Sequence, residues 1–226
     1  MNINQLKRSA STKLFNPRTI LGTKLAAWWD FKTQSNLGFG SGYNVSQVND
    51  LSGNGKHATQ ASGSVQPNYD PVKKCITFTL NDFLNVSLSL SGSYCVFAKC
   101  NNTKNDGNNS ILLGSTISAE AAVSFVGAQG YKFGGFAGNL VWAGSDQQNI
   151  VGVYGFEVNA TTSDKIYIGS NSYTVDAGNY GITSVCIGRS PLNYFVGDIY
   201  EIVITNAALA SVEVVNLIRY LNGVVT

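Results

Sequence analysis

What this chain has little of narrows its chemistry first. Only 12% of its 226 residues are charged, against about a quarter in ordinary soluble domains, and the formal net charge is +2. No domain-wide basic patch accompanies the aromatic residues, so nucleic acid is not an expected partner. Histidine occurs once, at His57, which removes metal centres built from several imidazoles. A Ser-His-Asp or Cys-His mechanism would have to use that residue, and no nucleophile-elbow sequence exists to pair with it. His57 follows SGNG in a hydrophilic stretch and reads as a solvated loop residue. No apolar run approaches membrane-spanning length and no apolar signal region follows Lys7 and Arg8, so neither membrane insertion nor export is expected.

The cysteines are even in number, Cys75, Cys95, Cys100 and Cys186, yet none are paired at CxxC spacing and no histidine cluster accompanies them. All lie in apolar, strand-like runs, where a cysteine behaves as a small buried hydrophobe. Reduced core thiols are expected, in a reducing compartment. Proline is also scarce, at four residues, whereas glycine reaches 24. Abundant Gly, Ser, Asn and Thr suit many short strands joined by tight turns, and leave little material for long helices. One main domain with a full core fits this length.

The runs themselves carry the periodicity of strands. In WWDF, Trp29 and Phe31 share one face and Trp28 takes the other. In CITFTLNDFLNVSLSL, Ile76, Phe78 and Leu80, then Leu84, Val86, Leu88 and Leu90, alternate with polar residues. SYCVFAKC is more continuously apolar, as a strand buried on both faces would be. Glycines 127, 130, 134, 135, 138 and 144 interrupt the middle third and mark bulges, bends or turns. GFGSG and YKFGGFAG fit neither phosphate-binding fingerprint, so nucleotide binding is not expected. Near the end, Val212, Val215, Ile218 and Leu221 recur at three-residue steps and predict a helix with one apolar stripe, with Ser211 as its cap.

Taken together, WWDF with VNDLSGNGKHATQ at one end and GDIYEIVITNAALASVEVVNLIRYLN at the other resemble the first and last strands of a concanavalin A-like jelly roll. The kind is laminin-G-like, as found in lectins, glucanases and many tailed-phage particle proteins. Supporting positions are Phe78, Asp82, Phe83 and Leu84 in an early strand and turn, Tyr167 and Gly169 in a hairpin, and Cys186, Gly188, Gly197, Ile199, Glu201, Leu209 and Glu213 at the close. The resemblance spans residues 25 to 224. It departs from the family pattern after Asp82, where the usual glycine is missing, and at Ala210, where a Ser or Thr usually stands. It implies an all-β, antiparallel two-sheet jelly-roll sandwich over residues 25–226 with a short C-terminal helix.

Candidate sites are few. DLSGNG predicts a compact turn, since Asp50, Ser52 and Asn54 can bond their own backbone while Gly53 and Gly55 tolerate positive φ. The rival reading is calcium, because Asp50 and Asn49 are hard oxygen donors, although no EF-hand spacing supports it. Tyr131, Phe133, Phe136, Asn139 and Trp142 form the mixture that binds sugar, an aromatic face for the CH groups of the ring and an amide for its hydroxyls; Tyr180 and Tyr194 could add to it. The competing reading is that these aromatics are core and rim of the sandwich. Glycosidases sharing the fold need two carboxylates across one bond. Family 16 glucanases carry theirs as Glu-x-Asp-x-Glu, a spacing that this chain lacks. Asp198 and Glu201 are three apart and so face opposite sides of a strand, and Glu157 stands alone. No enzyme is expected.

Residues 1–24 differ in composition, with Lys7, Arg8, Lys13, Arg18 and Lys24 before the first acid, Asp30. They read as a basic arm, either disordered or docking on a partner through Lys7, Arg8, Lys13, Phe15 and Arg18. Pro17 argues against a helix there. The resemblance, with the missing export signal, points to a non-enzymatic virion protein of a tailed phage, on head, fibre, neck or tail, anchored by the arm and presenting the sandwich to host-surface glycan. A free carbohydrate-binding module and a glycosidase are the alternatives. A homo-oligomer is compatible with the virion role, though no residue pattern specifies one.

Overall fold

Trp28, Trp29 and Phe31 set the architecture, because their strand must bury one aromatic face and finds the last strand of the chain to lie against. The computed structural model of the protein describes residues 16–115, 117, 120–161 and 163–223. Strand β1 (Leu25–Asp30) pairs antiparallel with β17 (Gly197–Thr205), Trp28 opposite Val203, Trp29 opposite Ile202 and Asp30 opposite Glu201. Trp29 and Phe31 are fully buried in the main core, and Trp28 lies on the other face. The alternation read from WWDF is therefore what the backbone adopts.

β17 is long enough to serve several neighbours. Its first residues pair with β6 (Cys75–Phe78) and its later ones with β1, while its whole length runs beside β8 (Tyr94–Asn102). β8 also pairs with β13 (Val151–Val158), so it is central and buried on both faces, as its unbroken apolar run predicts. β14 (Asp164–Ile168) and β15 (Asn171–Val175) extend this sheet at one edge and β5 (Asn68–Asp70) at the other. Among the described residues the second sheet has nine strands: β12 (Leu140–Ala143), β11 (Lys132–Phe136), β10 (Ala122–Val126), β9 (Ser110–Ser115), β16 (Val185–Ile187), β7 (Leu84–Val86), β4 (Ala58–Thr59), β3 (Val45–Val48) and β2 (Leu37–Phe39). Every named pairing is antiparallel. The inner faces interdigitate around Phe125, Phe133, Tyr154, Phe156 and Phe195, with rings of Phe125 and Tyr154 5.0 Å apart and nearly perpendicular.

A second, smaller core lies on the outer face of the first sheet. Helix α2 (Ser211–Leu221) packs Val214, Leu217, Ile218 and Leu221 over Phe97, Val153 and Val203. This corrects the predicted stripe. A period of 3.6 selects 214, 217, 218 and 221, so Val212 and Val215 are left 65% and 47% exposed. The cap differs too: Ala210 occupies the N-cap, with Glu213 accepting its backbone N–H at 2.7 Å, and Ser211 is the first helical residue.

The expectation about Pro17 is also corrected. Pro17 opens a short helix, α1 (Pro17–Leu21), at its first position, where the missing N–H costs nothing, and Asn16 caps it from the residue before. Leu21 is buried beside α2, and Lys24 bonds Glu213 at 2.7 Å. Residues 16–24 are thus folded onto the sandwich. Lys7, Arg8, Lys13 and Phe15 lie outside the described residues.

All four cysteines are free and buried. Burial pushes the thiols of Cys75, Cys95 and Cys186 up to about 12, and that of Cys100 higher still. Among the described residues no helix is long and apolar enough to cross a membrane.

Candidate functional site

The DLSGNG loop is a clamp on the edge of β1. Asp50 Oδ1 accepts the N–H groups of Trp28 (3.0 Å) and Ser52 (2.8 Å), and Oδ2 accepts the Ser52 hydroxyl (2.7 Å) and the Lys56 N–H (2.9 Å). Asn54 donates to the carbonyls of Leu25 and Ala26, Leu51 N–H bonds Trp28 O, and the Trp29 indole bonds Lys56 O. The loop thereby covers backbone groups that an edge strand would leave open. Burial alone would raise the Asp50 pKa, but its four donors outweigh that and hold it below the usual carboxylate value.

The loop adopts the turn that DLSGNG predicts, and the rival calcium reading would have to displace the same bonds. Both carboxylate oxygens of Asp50 are spent on N–H and O–H donors, and Asn49 Oδ1 accepts from Gln47. Among the described residues no group of three or more His, Cys, Asp or Glu side chains gathers into a metal site. His57 is exposed, with Nδ1 accepting the Asp50 N–H at 3.1 Å. Arg18 joins this clamp as well, its Nε donating to Leu51 O.

The carboxylates considered for catalysis all lie on the outer face of the first sheet, which corrects the expectation that Asp198 and Glu201 face opposite sides: a register shift between Ile199 and Glu201 brings both to the same one. Glu201 is fully buried, taking the Trp28 indole N–H at 2.8 Å and the Lys32 ammonium. Glu157 is 2% exposed and accepts the Tyr167 hydroxyl at 2.7 Å. Asp198 accepts from Thr77 (2.8 Å) and Lys73 (3.1 Å). Asp30 and Glu201, far apart in sequence, are cross-strand neighbours, a proximity invisible to spacing. Lys32 bridges them, and α2 packs over this part of the face.

The sugar-binding candidates divide. Tyr131 and Phe133 belong to the core, Phe133 with no exposed surface and Tyr131 with its hydroxyl accepting the Gly107 N–H at 2.7 Å, which corrects their assignment to a binding surface. The left-handed pair Gly130 and Tyr131 (φ 70° and 57°) turns the ring inward after a single 3-10 turn. Phe136 and Trp142, by contrast, share the outer face of the second sheet, because Phe133, Gly135, Val141 and Ala143 take the inner one. Trp142 is 37% exposed and stands opposite Gly134, so bare backbone lies beside the indole. A Cβ at Gly134 would come within 2.0 Å of Val141 O, which is why only glycine permits this strand pairing. Leu140, opposite Phe136, and Tyr180, edge-on to Phe136 at 6.0 Å, widen the patch. Asn139 is exposed in the β11–β12 turn, donating to Ala177 O through its backbone and to Asp176 O through its amide.

Phe136 also forms part of a groove of about 330 Å³. Ile111 and Ala122 lie along it, the 190–193 turn forms one wall with the largely exposed Leu192 at its lip, and Ile117 and Glu120 form the other. Burial alone would raise the Glu120 pKa, but hydrogen bonds from Ser115 and Thr183 outweigh it and hold it low. Asn109, Ser115 and Asn193 supply further polar groups. Sequence reasoning found the aromatic patch and not this groove, whose walls come from segments about 70 residues apart. Tyr194 lies elsewhere, its ring 5.6 Å from the guanidinium of Arg189, which also stacks on Phe83.

Neither a protein-family profile nor any curated protein matches the sequence. Solved structures do match in fold. Trypanosoma rangeli sialidase superposes with a TM-score of 0.62 at 11% identity, covering 90% of this chain and 34% of its own. Domain 4 of AbnA, a GH43 extracellular arabinanase from Geobacillus stearothermophilus solved with arabinotriose, gives 0.59 at 17% identity, covering 86% and 98%. The ligand binding domain of botulinum neurotoxin serotype D, solved with N-acetylneuraminic acid, gives 0.61 at 12%, covering 91% and 53%. The chain therefore spans about a third of the sialidase and nearly the whole of the arabinanase domain. At these identities the likeness is one of fold, a two-sheet β-sandwich consistent with the concanavalin-like expectation.

Proposed function

We propose that this protein is a non-catalytic glycan-binding sandwich whose site is the outer face of the second sheet. The observation that carries the reading is the placement of Trp142, Phe136 and Tyr180 on that face, next to a groove with amide and hydroxyl groups on its walls. An aromatic ring stacks on the apolar face of a sugar while amides and hydroxyls orient it. Two structures of the same fold were solved with saccharide ligands, which supports the reading by analogy of fold. The carboxylates of Glu157 and Glu201 are committed to hydrogen bonds beneath the opposite sheet, which favours binding over hydrolysis.

The setting proposed is the particle of a tailed phage, as an accessory component displaying this face to the host surface. That assignment rests on the resemblance of the WWDF, NDLSGNGKHATQ and GDIYEIV segments to phage structural proteins. Glycan-array binding that disappears in Trp142→Ala and Phe136→Ala, with unchanged thermal unfolding, tests the site; no binding by the native chain removes the reading. Mass spectrometry and immunogold labelling of purified particles test the setting, and its absence from particles would leave a free binding module.

A further inference from the structure

Val215, exposed on α2, stands at the side of an opening between that helix and the sheet. α2 covers the outer face of the first sheet only in part, and between it and the β14–β15 hairpin lies a groove of about 350 Å³. Tyr167, Leu209, Val214 and Ile218, all buried, give it an apolar floor. The hairpin wall carries Lys165, Ser170 and Ser172, and the helix wall carries Ser211, Val215 and Arg219. The hairpin turns tightly at Gly169 (φ 58°), and the residues that follow the turn contribute only the small side chains of Ser170 and Ser172 to the groove.

Its charge has one sign. Among the described residues no Asp or Glu lines the groove, and neither Lys165 nor Arg219 has an ion-pair partner. Glu157, which faces Lys165 across the strands, is instead engaged by the Tyr167 hydroxyl at 2.7 Å and the Asn159 amide at 3.4 Å. Two cations and three hydroxyls around an apolar floor complement an acid with a hydrocarbon body. A neutral sugar would leave the cations unmatched and the floor without an apolar partner.

We infer that this groove binds a small amphiphilic carboxylate, its hydrocarbon part on Tyr167, Val214 and Ile218 and its acid group held by Lys165 and Arg219. This site lies on the sheet opposite the proposed glycan face and does not depend on it. Octanoate is the probe, with acetate and octanol as matched controls. In calorimetric titrations octanoate binds at least about tenfold more tightly than either control, since both the burial of the chain and the charged hydrogen bonds contribute. Amide chemical-shift changes concentrate on Lys165, Ser172, Val215 and Arg219. Lys165→Gln and Arg219→Gln each weaken binding about tenfold, and Ser172→Trp, an exposed position, fills the groove and abolishes it while the circular dichroism melt is retained. No octanoate binding, equal binding of octanol, or binding that survives Ser172→Trp would each overturn the assignment. Self-association of the chain that Ser172→Trp prevents, without octanoate binding, would assign the groove to a second copy instead.

Discussion

The indole Nε1 of Trp28 donates to Oε1 of Glu201 at 2.8 Å, tying the first strand to the last beneath α2. Glu201 has no exposed surface, and its other oxygen takes the Lys32 ammonium, whose side chain is 37% exposed. The ring of Tyr220 on α2 stands edge-on to Trp28 at 6.1 Å, and its hydroxyl proton is held well above the usual tyrosine range by burial and by Glu201. One carboxylate therefore joins both strands of the closing pair, and the helix packs on the indole that it holds.

Glu201→Ala should cost about 3 kcal/mol, because it leaves a buried indole N–H and a partly buried ammonium without their partner. Glu201→Gln keeps one acceptor and should cost less. Urea unfolding followed by tryptophan fluorescence measures both. A loss below about 1 kcal/mol for the alanine variant would show that the network contributes little.

Asp50 should make the chain acid-sensitive. Its folded pKa is depressed, so the stabilisation is complete above the ordinary carboxylate value of about 4 and is lost as pH falls through the folded value. Asp50→Asn places an amide donor against Ser52 and Lys56 and should cost about 2 kcal/mol at neutral pH. The same variant should flatten the acid limb of the stability curve. An unchanged acid limb would remove Asp50 as its source.

The thiols should be silent in the native state. With Cys75, Cys95 and Cys186 pushed up to about 12 by burial, and Cys100 higher, almost no thiolate exists at pH 8. A chromogenic disulfide reagent should report none reacting in the folded protein and all four after unfolding. A fast-reacting native thiol would contradict this burial.

The proposed glycan face and the core beneath it should respond differently to truncation. Phe133→Ala removes a fully buried ring and should cost about 3–5 kcal/mol. Trp142→Ala, at a partly exposed position, should cost about 1 kcal/mol or less. Thermal denaturation of the two variants gives the comparison, and equal losses would make Trp142 a core residue.

Much of the fold was legible from local pattern. Alternation placed Trp29 and Phe31 inside and Trp28 outside, and the unbroken apolar run of β8 announced a central strand. The turn chemistry of DLSGNG was equally plain, because Asp50 and Ser52 act on backbone groups within a few residues. Half of the candidate site followed the same rule, since Phe136 and Trp142 lie on the solvent face of adjacent strands. Three-residue steps drift out of phase with a 3.6-residue period, so the stripe they define takes in Val212 and Val215, which do not enter the core.

Residue order alone thus determined which segments pleat, which face of each is apolar and where the chain turns, because these depend on interactions across a few neighbouring positions. Only the tertiary structure decided that Tyr131 points inward, that Asp50 accepts the backbone N–H of distant Trp28, and that Glu201 meets Asp30 and Trp28. It also decided where the two grooves lie. These depend on strand order and on which distant loops share a sheet face, and no period or spacing along the chain encodes them.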